Sequence, residues 1–522
     1  MGVGVVGMAG GAHADLGVPP VDETARDDFV TLPLASRHDK HWARASLEVG
    51  GIVAVGIVDY LLNTSARGGT TRPGDARWDL RYDWPTLRGK LTGDIALDGN
   101  RLGTNYASHP FAGTLYYSAA RSNHLTVAES FLFAVIGSSM WEMFGEIRET
   151  TSVNDLVVTP VGGAAIGEAT MQMAGFFDRG EKRLSNGVLS ALFSPVKAIN
   201  DATDDVDPER TKAPDALGFA TEPWHRFVLR GGVGVTSQGA ASPSHPRASY
   251  VDAGLDVDLA LASLPGYAGA AERSRVFDDG NVSSIRFTTT TSQGRVVDAR
   301  FETRVLPLGF YTRSATRDMV GNVHGHGTVF GLRIGFEYGT HTWDRDRAFG
   351  RGSDAIALAS PLGVAFEHVW DAGDVQVKTG LDLYGAMAGV TSYALAGLST
   401  VDARPHAGLP TTLKTQGYYH AYALTVAPAL SIVWRRVSIG ARMRLDTFRP
   451  IEGADEEGRS VEPLVRLGDS RTEIASTMAL RVPRSPIELA LTGTRRSRVG
   501  YAGALGSSRT EASAMGTLGV VF

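Results

Sequence analysis

The chain has 522 residues, of which 43% are hydrophobic and 20% charged, and its formal net charge is −5. This composition excludes an intrinsically disordered chain, and the acidic balance argues against a nucleic-acid-binding surface, which would be basic. Cysteine is absent, which excludes disulfides, thiolate nucleophiles and zinc–thiolate sites.

The N-terminal residues, MGVGVVGMAGGAHADLG, are small and apolar up to the pattern Ala12-His13-Ala14. An A-x-A pattern after an apolar run is typical of the cleavage site of a secretory signal peptide. Residues 1–14 are therefore interpreted as a signal-peptide remnant whose start lies upstream, the alternative being a flexible apolar terminus. Residues 15–39 are predicted to be a flexible segment.

Residues 40–200 show helical periodicity and are predicted to form a helical domain with its core at 105–178. The expected helices cover residues 41–63, a segment starting near Pro110, and residues 126–149, 159–177 and 182–194. Ser152 and Asp155 have the spacing of a helix cap, and proline is favourable at a first helical position. The acidic residues 201–222 are predicted to link this domain to the rest of the chain.

Three motifs follow one another in this domain: NY-x-x-HP from Asn105, WE-x-x-x-E from Trp141, and TP-x-GG-x-x-x-GE from Thr159. Together they resemble an uncharacterised family, a domain of unknown function found in bacterial outer-membrane proteins. The resemblance implies a location and an architecture, and it supplies no activity.

The motifs contain ionisable residues that three helices could bring together. The candidate catalytic residues are His109, Glu142, Glu146, Asp155 and Glu168. Residues predicted to bind a ligand or to complete a structural network are Asn105, Tyr106, Tyr117, Arg121 and Trp141.

Three interpretations of this cluster remain open. His109, Glu142 and Glu146 could hold a divalent metal, because carboxylate oxygens with one imidazole suit Mg, Ca, Mn or Fe. The carboxylates could instead perform acid–base chemistry on a lipid or glycan. The favoured interpretation is structural: Glu142 or Glu146 pairs with Arg121 or Arg148, inside the bundle. No cofactor is assigned.

Two further groups are given structural interpretations. Trp141 is expected to pack against a barrel wall, and His109 to begin a helix. His324 and His326 lie on one face of a strand, because they are two residues apart, and they are expected at a hairpin end.

From about residue 225 the periodicity changes to two. For example, Val437, Ile439 and Ala441 alternate with polar or small residues, which indicates strands with one apolar and one charged face. About twelve strands are expected, with ten or fourteen as alternatives, at 225–236, 247–262, 281–291, 294–308, 323–341, 359–371, 374–389, 416–434, 436–449, 470–483, 485–497 and 511–522.

The length of these strands and their charged faces favour a transmembrane barrel over a soluble sandwich. Tight links near 371–374, 434–436 and 483–485 alternate with long links at 342–358, 390–415, 450–469 and 498–510, which is the outer-membrane pattern. The chain ends with Leu518, Val520 and Phe522 at alternate positions, which resembles the signal that outer-membrane barrels present to the barrel-assembly machinery.

The lumen-facing charges are expected to form ion pairs in a filled lumen. The residues concerned are Asp256, Asp258, Arg300, Glu302, Arg442 and Arg444.

The predicted fold is α+β: a small helical bundle followed by an antiparallel transmembrane β-barrel of about twelve strands, residues 223–522. The predicted protein is integral to the bacterial outer membrane, and its helical domain plugs or caps the barrel, lying in the periplasm or in the lumen. It is expected to contact outer-membrane lipid and to have no nucleic-acid partner. It is expected to bind a lipid or small ligand. The alternative is a membrane-embedded hydrolase or lipid-modifying enzyme that uses the cluster. The oligomeric state is not predicted.

Overall fold

A computed structural model describes residues 39–66, 84–92, 95–146, 150–205, 207–239, 248–264, 266–343, 353–395, 409–451 and 466–522. The signal-peptide interpretation of residues 1–14, and the prediction for 15–39 except its last residue, fall outside these ranges. Arg148, one of the proposed ion-pair partners, also lies outside them.

The N-terminal half is helical, as predicted. Its helices are α1 (Trp42–Ala66), α2 (Trp84–Thr92), α3 (His109–Ser122), α4 (Val127–Met140), α5 (Val153–Asp178), α6 (Leu184–Phe193) and α7 (Pro195–Thr203). Short π-helical turns at Thr104–Ser108 and Trp141–Gly145 precede α3 and follow α4. Two short strands, β1 (Ile95–Ala96) and β2 (Thr151–Ser152), pair in parallel.

Helix α5 begins six residues earlier than the predicted start at residue 159, because Ser152 caps it. The Ser152 hydroxyl accepts a hydrogen bond from the Asp155 backbone N–H, which satisfies one of the free donors at the helix start. Pro160 therefore lies inside the helix, where it removes one backbone donor.

The C-terminal half is built of strands. They are β3 (Trp224–Gln238), β4 (Ala248–Ala262), β5 (Ala271–Phe277), β6 (Val282–Ser292), β7 (Arg295–Arg317), β8 (Val323–Thr342), β9 (Ser353–Ala372), β10 (Val375–Thr391), β11 (Tyr418–Trp434), β12 (Val437–Pro450), β13 (Leu467–Arg481), β14 (Ile487–Ala502) and β15 (Leu505–Val521). A short helix, α8 (Thr411–Gln416), precedes β11.

Twelve of these strands form a closed antiparallel barrel, which confirms the predicted fold class and strand number. Successive strands of the twelve pair with each other, with β4 paired to β6 across the additional strand β5, and β15 pairs with β3 to close the cylinder. Strand β5 is additional, and it pairs only with the part of β7 that extends beyond β6.

The two ends of the barrel differ. One end carries the tight turns at Gly373 and Arg435 and the C-terminal Phe522, and we call it the turn end. The opposite end is called the loop end. The predicted long link at 498–510 is wrong: β14 and β15 continue through it and meet in a tight turn at Gly503, at the loop end. The prediction failed because glycine and serine there interrupt the apolar alternation.

Charged side chains cross the lumen. Arg300 on β7 lies 2.9 Å from Glu473 on β13, and Arg444 on β12 lies 2.8 Å from Glu302 on β7. These strands are not neighbours in the barrel, so the side chains must meet inside it. The prediction of a lumen filled by ion pairs is confirmed for these residues.

Apolar residues fill the lumen at both ends. At the turn end, Leu264 and Phe277 from the β4–β6 connection pack against Tyr311. At the loop end, Leu395 and Leu413 pack against the inner faces of the strands. Between them, a cavity of about 20 Å³ lies beside Arg300 and His341, among others, which is room for about one water molecule.

The opposite face of the strands is apolar and points outward. On β3 the even-numbered residues face the lumen, where Arg230 contacts Glu488, while Leu229 and Val233 are exposed. Phe227 shares the outward face with Leu229, yet it is only 4% exposed because Phe176 and Phe177 of α5 cover it. The helix therefore lies against the outer wall of the barrel.

The wall residues beneath α5 follow one line of paired residues across seven strands. They are Met387, Ala359, Phe336, Thr303, Ile285, Leu259 and Phe227. Six strand spacings amount to about 29 Å. The part of α5 from Val158 to Phe176 measures about 27 Å, so the helix crosses the strands roughly at right angles.

The described helices thus lie against the outer wall, and the plug, one of the two predicted arrangements, is not confirmed. Apolar residues of α5, such as Val161 and Met173, pack against the outer face of the wall, and charged side chains occupy the lumen instead. The sequence could not distinguish these arrangements because an apolar outer face suits lipid and a helix equally well.

Helix α3 packs on α5 through backbone contact at Gly113 and Gly163. A Cβ atom at Gly113 would lie 2.0 Å from the Thr159 carbonyl oxygen, and one at Gly163 would lie 2.3 Å from the Gly113 carbonyl carbon. Such distances are impossible without separating the helices, so the small residues are required for this packing.

We therefore expect Gly163→Ala to destabilise the helical domain by about 1–3 kcal/mol through overpacking. The matched control is Gly187→Ala in α6, where a Cβ meets nothing within 4 Å. There the change should be neutral, or stabilising by up to about 1 kcal/mol, because alanine favours helix. Thermal loss of helical circular dichroism measures both variants, and equal effects would contradict this packing.

Candidate functional site

Three of the predicted residues meet in the helical domain. Glu142, Glu146 and Asp155 each place one carboxylate oxygen within 4.8 Å of the others. Their exposed fractions are 1%, 6% and 1%. Like charges at such distances and at such burial are unfavourable unless protons, cations or hydrogen-bond donors compensate them.

Two local features hold these carboxylates. The π-helical turn after α4 carries Glu142, and Glu146 directly follows it. Glu142 Oε2 accepts a hydrogen bond of 2.9 Å from the Ser152 backbone N–H. The Trp141 indole N–H donates to Glu146 Oε1 over 3.1 Å. The cap of α5 thus joins Asp155 to the end of α4.

His109 and Asp98 border the cluster. His109 Nδ1 lies 3.8 Å from Asp155 Oδ1. Asp98 belongs to the segment after β1, where its backbone N–H donates to Asn154 Oδ1 over 2.8 Å. The Lys90 ammonium donates to the Glu142 backbone carbonyl oxygen over 2.6 Å, so a cation also reaches the edge of the site.

Burial shifts the pKa of both bordering groups toward their uncharged forms. It raises the pKa of Asp98 above its ordinary value, against the hydrogen bonds from Asn100, and it lowers the pKa of His109, against the charge of Asp98. Protonated Asp98 therefore contributes to the stability of the folded protein at low pH, and this contribution is lost as the pH rises through the raised pKa of Asp98. The stability from neutral His109 is lost as the pH falls through its lowered pKa.

The site lies beside the loop-end rim of the barrel. Tyr106, which precedes His109 by three residues, contacts the His420 imidazole across 3.1 Å, and Asn105 donates to the Tyr418 hydroxyl over 3.0 Å. Both barrel residues lie on the outward face at the loop end of β11, beyond the exposed Tyr422. The cluster is thus level with the rim rather than with the middle of the wall.

The donor set suits a hard cation. Carboxylate oxygens are the usual ligands of Ca²⁺ and Mg²⁺, and a neutral imidazole can join them for Mn²⁺ or Fe²⁺. Within the described part of the chain, Asp155 Oδ2 is buried and accepts no hydrogen bond. Burial, followed by the charges of Asp98, Glu142 and Glu146, raises the pKa of Asp155 well above its usual range. Either a proton or a bound cation can therefore compensate this carboxylate.

Glu168 is not part of this cluster. It lies thirteen residues after Asp155 on α5, which corresponds to about 20 Å along the helix. The Arg121 guanidinium donates to both of its carboxylate oxygens, over 2.8 and 3.1 Å, and also contacts Asp279. Tyr117 donates to Glu168 over 2.6 Å. The predicted pairing of Arg121 with Glu142 or Glu146 is therefore wrong.

This second group is a buried structural network, because its carboxylates and guanidinium satisfy one another. The side chains of Arg121 and Glu168 are both 0% exposed, and Asp279 comes from the β4–β6 connection. The network therefore joins α3 and α5 to the barrel. Nothing in the sequence around Asp279 links it to Arg121, which is 158 residues away.

The remaining predicted residues have mainly structural positions. The Trp141 ring lies against Gly56 of α1 and not against the barrel wall, which corrects that expectation. His324 lies at the β7–β8 hairpin end, as predicted, where its Nε2 is 3.1 Å from Asp318. Sequence reasoning missed Asp98 and Asn154, because neither stands in a recognisable motif.

Comparison with solved structures finds other barrels at low similarity. The chain resembles a NanC porin with 8% identity and a TM-score of 0.24, covering 56% of this chain and 98% of the porin. It resembles OmpT, an outer membrane protein of Vibrio cholerae, with 7% identity and a TM-score of 0.20, covering 57% and 97%. A Pseudomonas aeruginosa FadL homologue matches with 10% identity and a TM-score of 0.23, covering 60% and 94%.

These scores are low, so the fold assignment rests on the strand pairing. Residues 94–196 match a family described as a domain of unknown function (DUF3943), and no curated protein matches the chain. The expected resemblance to an uncharacterised family is confirmed at this level. The matched residues include the carboxylate cluster and the Arg121–Glu168 pair, but not Asp279. Among the described helices, the run Val127–Gly145 is long and apolar enough to cross a membrane, judged by length and composition.

Arg121→Ala would leave two buried carboxylates uncompensated, and we expect a loss of about 3–5 kcal/mol in the stability of the helical domain. The control is Arg44→Ala, whose partly exposed pair with Asp204 should contribute only about 0–1 kcal/mol. Protease resistance and thermal circular dichroism report the difference. Unchanged resistance in Arg121→Ala would contradict a network that holds the helices to the barrel.

Proposed function

We propose that this protein is an integral outer-membrane protein in which a filled barrel anchors the helical domain, and that this domain binds a divalent cation through Glu142, Glu146 and Asp155. The observation that carries the proposal is the convergence of three buried carboxylates within 4.8 Å beside the barrel rim. Protons, hydrogen-bond donors or a cation must compensate the repulsion among them. The proposal assigns part of this compensation to a bound cation.

The outer face of the barrel supports the membrane location. On β11, exposed apolar residues extend from Tyr422 to Trp434, with aromatic rings at both ends. Twelve residue steps at about 3.4 Å and a tilt of about 40° span about 30 Å, the thickness of a bilayer core. Leu518, Val520 and Phe522 would serve the barrel-assembly machinery, and Phe522 also pairs with Phe227 where the barrel closes.

The contents of the lumen support an anchoring role rather than a porin role. Ion pairs such as Arg444–Glu302 cross the middle, and apolar residues such as Leu413 pack at the loop end. A single membrane helix could not serve as the anchor in its place, because it would not provide the wall on which α5 packs. The barrel therefore positions the carboxylate cluster at a fixed level beside the membrane surface.

A membrane-embedded hydrolase or lipid-modifying enzyme is the second candidate. It is favoured by the 3.8 Å approach of His109 Nδ1 to Asp155 Oδ1 at the level of the rim. In such an enzyme the imidazole would act as general base and Asp155 would orient it. The cation site and the enzyme share Asp155, whereas only the enzyme requires His109 as a base.

The test compares thermal unfolding in chelator, in CaCl2 and in MgCl2 for detergent-purified protein. We expect a cation to raise the unfolding temperature of the wild type. Asp155→Asn should lose this response. In chelator it should be at least as stable as the wild type, because asparagine keeps the shape of the side chain without a carboxylate whose charged form burial disfavours. The control Asp318→Asn, at the exposed β7–β8 turn, should respond like the wild type.

Native mass spectrometry of the same samples identifies the bound species. A cation adduct present in the wild type and absent in Asp155→Asn supports the proposal. No adduct and no thermal response in the wild type would contradict it. Turnover of added lipid that is lost in His109→Asn, with cation binding retained, would favour the enzyme instead.

A further inference from the structure

The helical domain has a large apolar surface that faces away from the barrel. Its exposed apolar side chains are Leu47, Val55 and Val58 on α1, Phe131, Leu132 and Ile136 on α4, and Leu184, Val188 and Leu192 on α6. Val55 is 71% exposed and Leu132 is 51% exposed. So many exposed large apolar side chains are unusual on a soluble domain and mark an interaction site.

This surface lies at the same height along the barrel axis as the exposed apolar residues on the outer faces of the strands, which we call the apolar band. On β9 the residues under α5 are Ala357 and Ala359, and the exposed band continues from Leu362 toward the turn end. On β3 the covered residue is Phe227, and the exposed band continues from Leu229 toward the loop end. Helix α5 therefore crosses the band obliquely, with exposed apolar wall on both of its sides.

The outer helices are stacked over the middle of α5. A Cβ atom at Gly162 of α5 would meet Phe336 of the wall at 3.2 Å, and Gly163 contacts Gly113 of α3. In the next layer, a Cβ atom at Gly137 of α4 would meet the Tyr116 ring of α3 at 2.6 Å. The exposed side chains of α4 thus lie over the part of α5 that crosses the band.

We infer that the helical domain is immersed in the same bilayer as the barrel, and that acyl chains cover the outer faces of α1 and α4. Continuity with the apolar band of the wall selects lipid as the occupant. The domain also meets the requirement that a membrane imposes on backbone, because helices satisfy their own N–H and C=O groups. Its buried charges Arg121 and Glu168 are paired with each other and not exposed to the surface.

This inference deepens the proposed function and rests on its membrane location. Immersion would place the carboxylate cluster beside the lipid headgroups at the loop end, so a cation held there would lie next to anionic lipid. Helix α6, with Lys182 and Arg183 directly before its apolar stripe Leu184, Val188 and Leu192, has the pattern of a helix that lies in the interface at the turn end.

The absence of cysteine in the sequence permits a direct test with single-cysteine variants. Val55→Cys, Leu132→Cys and Ile136→Cys are labelled with an environment-sensitive fluorophore in the full chain, reconstituted in phosphatidylcholine vesicles. Brominated acyl chains quench labels in the bilayer core, and iodide quenches labels in water. Leu430→Cys on the exposed outer face of β11 is the lipid control, and Met319→Cys in the exposed β7–β8 turn is the water control.

We expect quenching by brominated lipid at the helix positions to lie within about twofold of that at Leu430→Cys, with iodide quenching far below that at Met319→Cys. Iodide quenching equal to Met319→Cys would overturn the inference, and protection from both quenchers would also overturn it, because protein such as a second copy would then cover the helices. If Leu430→Cys itself is not quenched by lipid, the membrane location of the barrel fails, and this inference, which rests on it, fails with it. Quenching at Leu430→Cys without quenching at the helix positions overturns this inference alone. Three helix positions are used so that one variant that fails to fold does not decide the result.

Discussion

The structure depends on the packing of helix α5 against the outside of the barrel wall. The helix follows one line of paired residues from Met387 on β10 to Phe227 on β3, and it buries apolar side chains along its whole length. Each fully buried side chain such as Met173 or Phe176 contributes about 1.5–3 kcal/mol. Helices α1, α4, α6 and α7 are then placed by their contacts with α5 or with α3.

The two faces of the strands make this packing possible. The inner face carries arginine and carboxylate side chains that pair across the lumen, so it offers no apolar surface at mid-height to a helix. The outer face is apolar, and the small residues Gly389, Ala357 and Ala359 leave room for the segment before α3, which includes Tyr106, and for the first turns of α5. The carboxylate cluster is consequently held outside the barrel and beside its rim, where neither the lumen nor the wall supplies its ligands.

Much of the fold could be predicted from the sequence. Alternation fixed twelve strands to within a few residues in most cases, because each strand has one apolar and one charged face over its full length. It failed at residues 498–510, where Gly500, Gly503 and Gly506 break the pattern while the strands continue. It also missed the short strand β5, which pairs with a single neighbour.

The site could be predicted only in part. Glu142, Glu146 and Asp155 were grouped correctly, since the four-residue spacing and the Ser152 cap are local features. Glu168 was grouped with them wrongly, because motif spacing does not show that one long helix separates the two clusters. The placement of the helices outside the barrel could not be predicted, because a sequence with apolar outer strand faces does not reveal whether lipid or protein covers them.

The most direct measurement of the central claim is crosslinking between α5 and the two faces of β3. The Phe176 and Phe227 rings lie 5.1 Å apart, whereas the next residue, Val228, faces the lumen. In this cysteine-free chain, a short thiol crosslinker should join Phe176→Cys to Phe227→Cys and should not join Phe176→Cys to Val228→Cys. Crosslinking to position 228 without crosslinking to position 227 would place the helix inside the lumen and contradict the account.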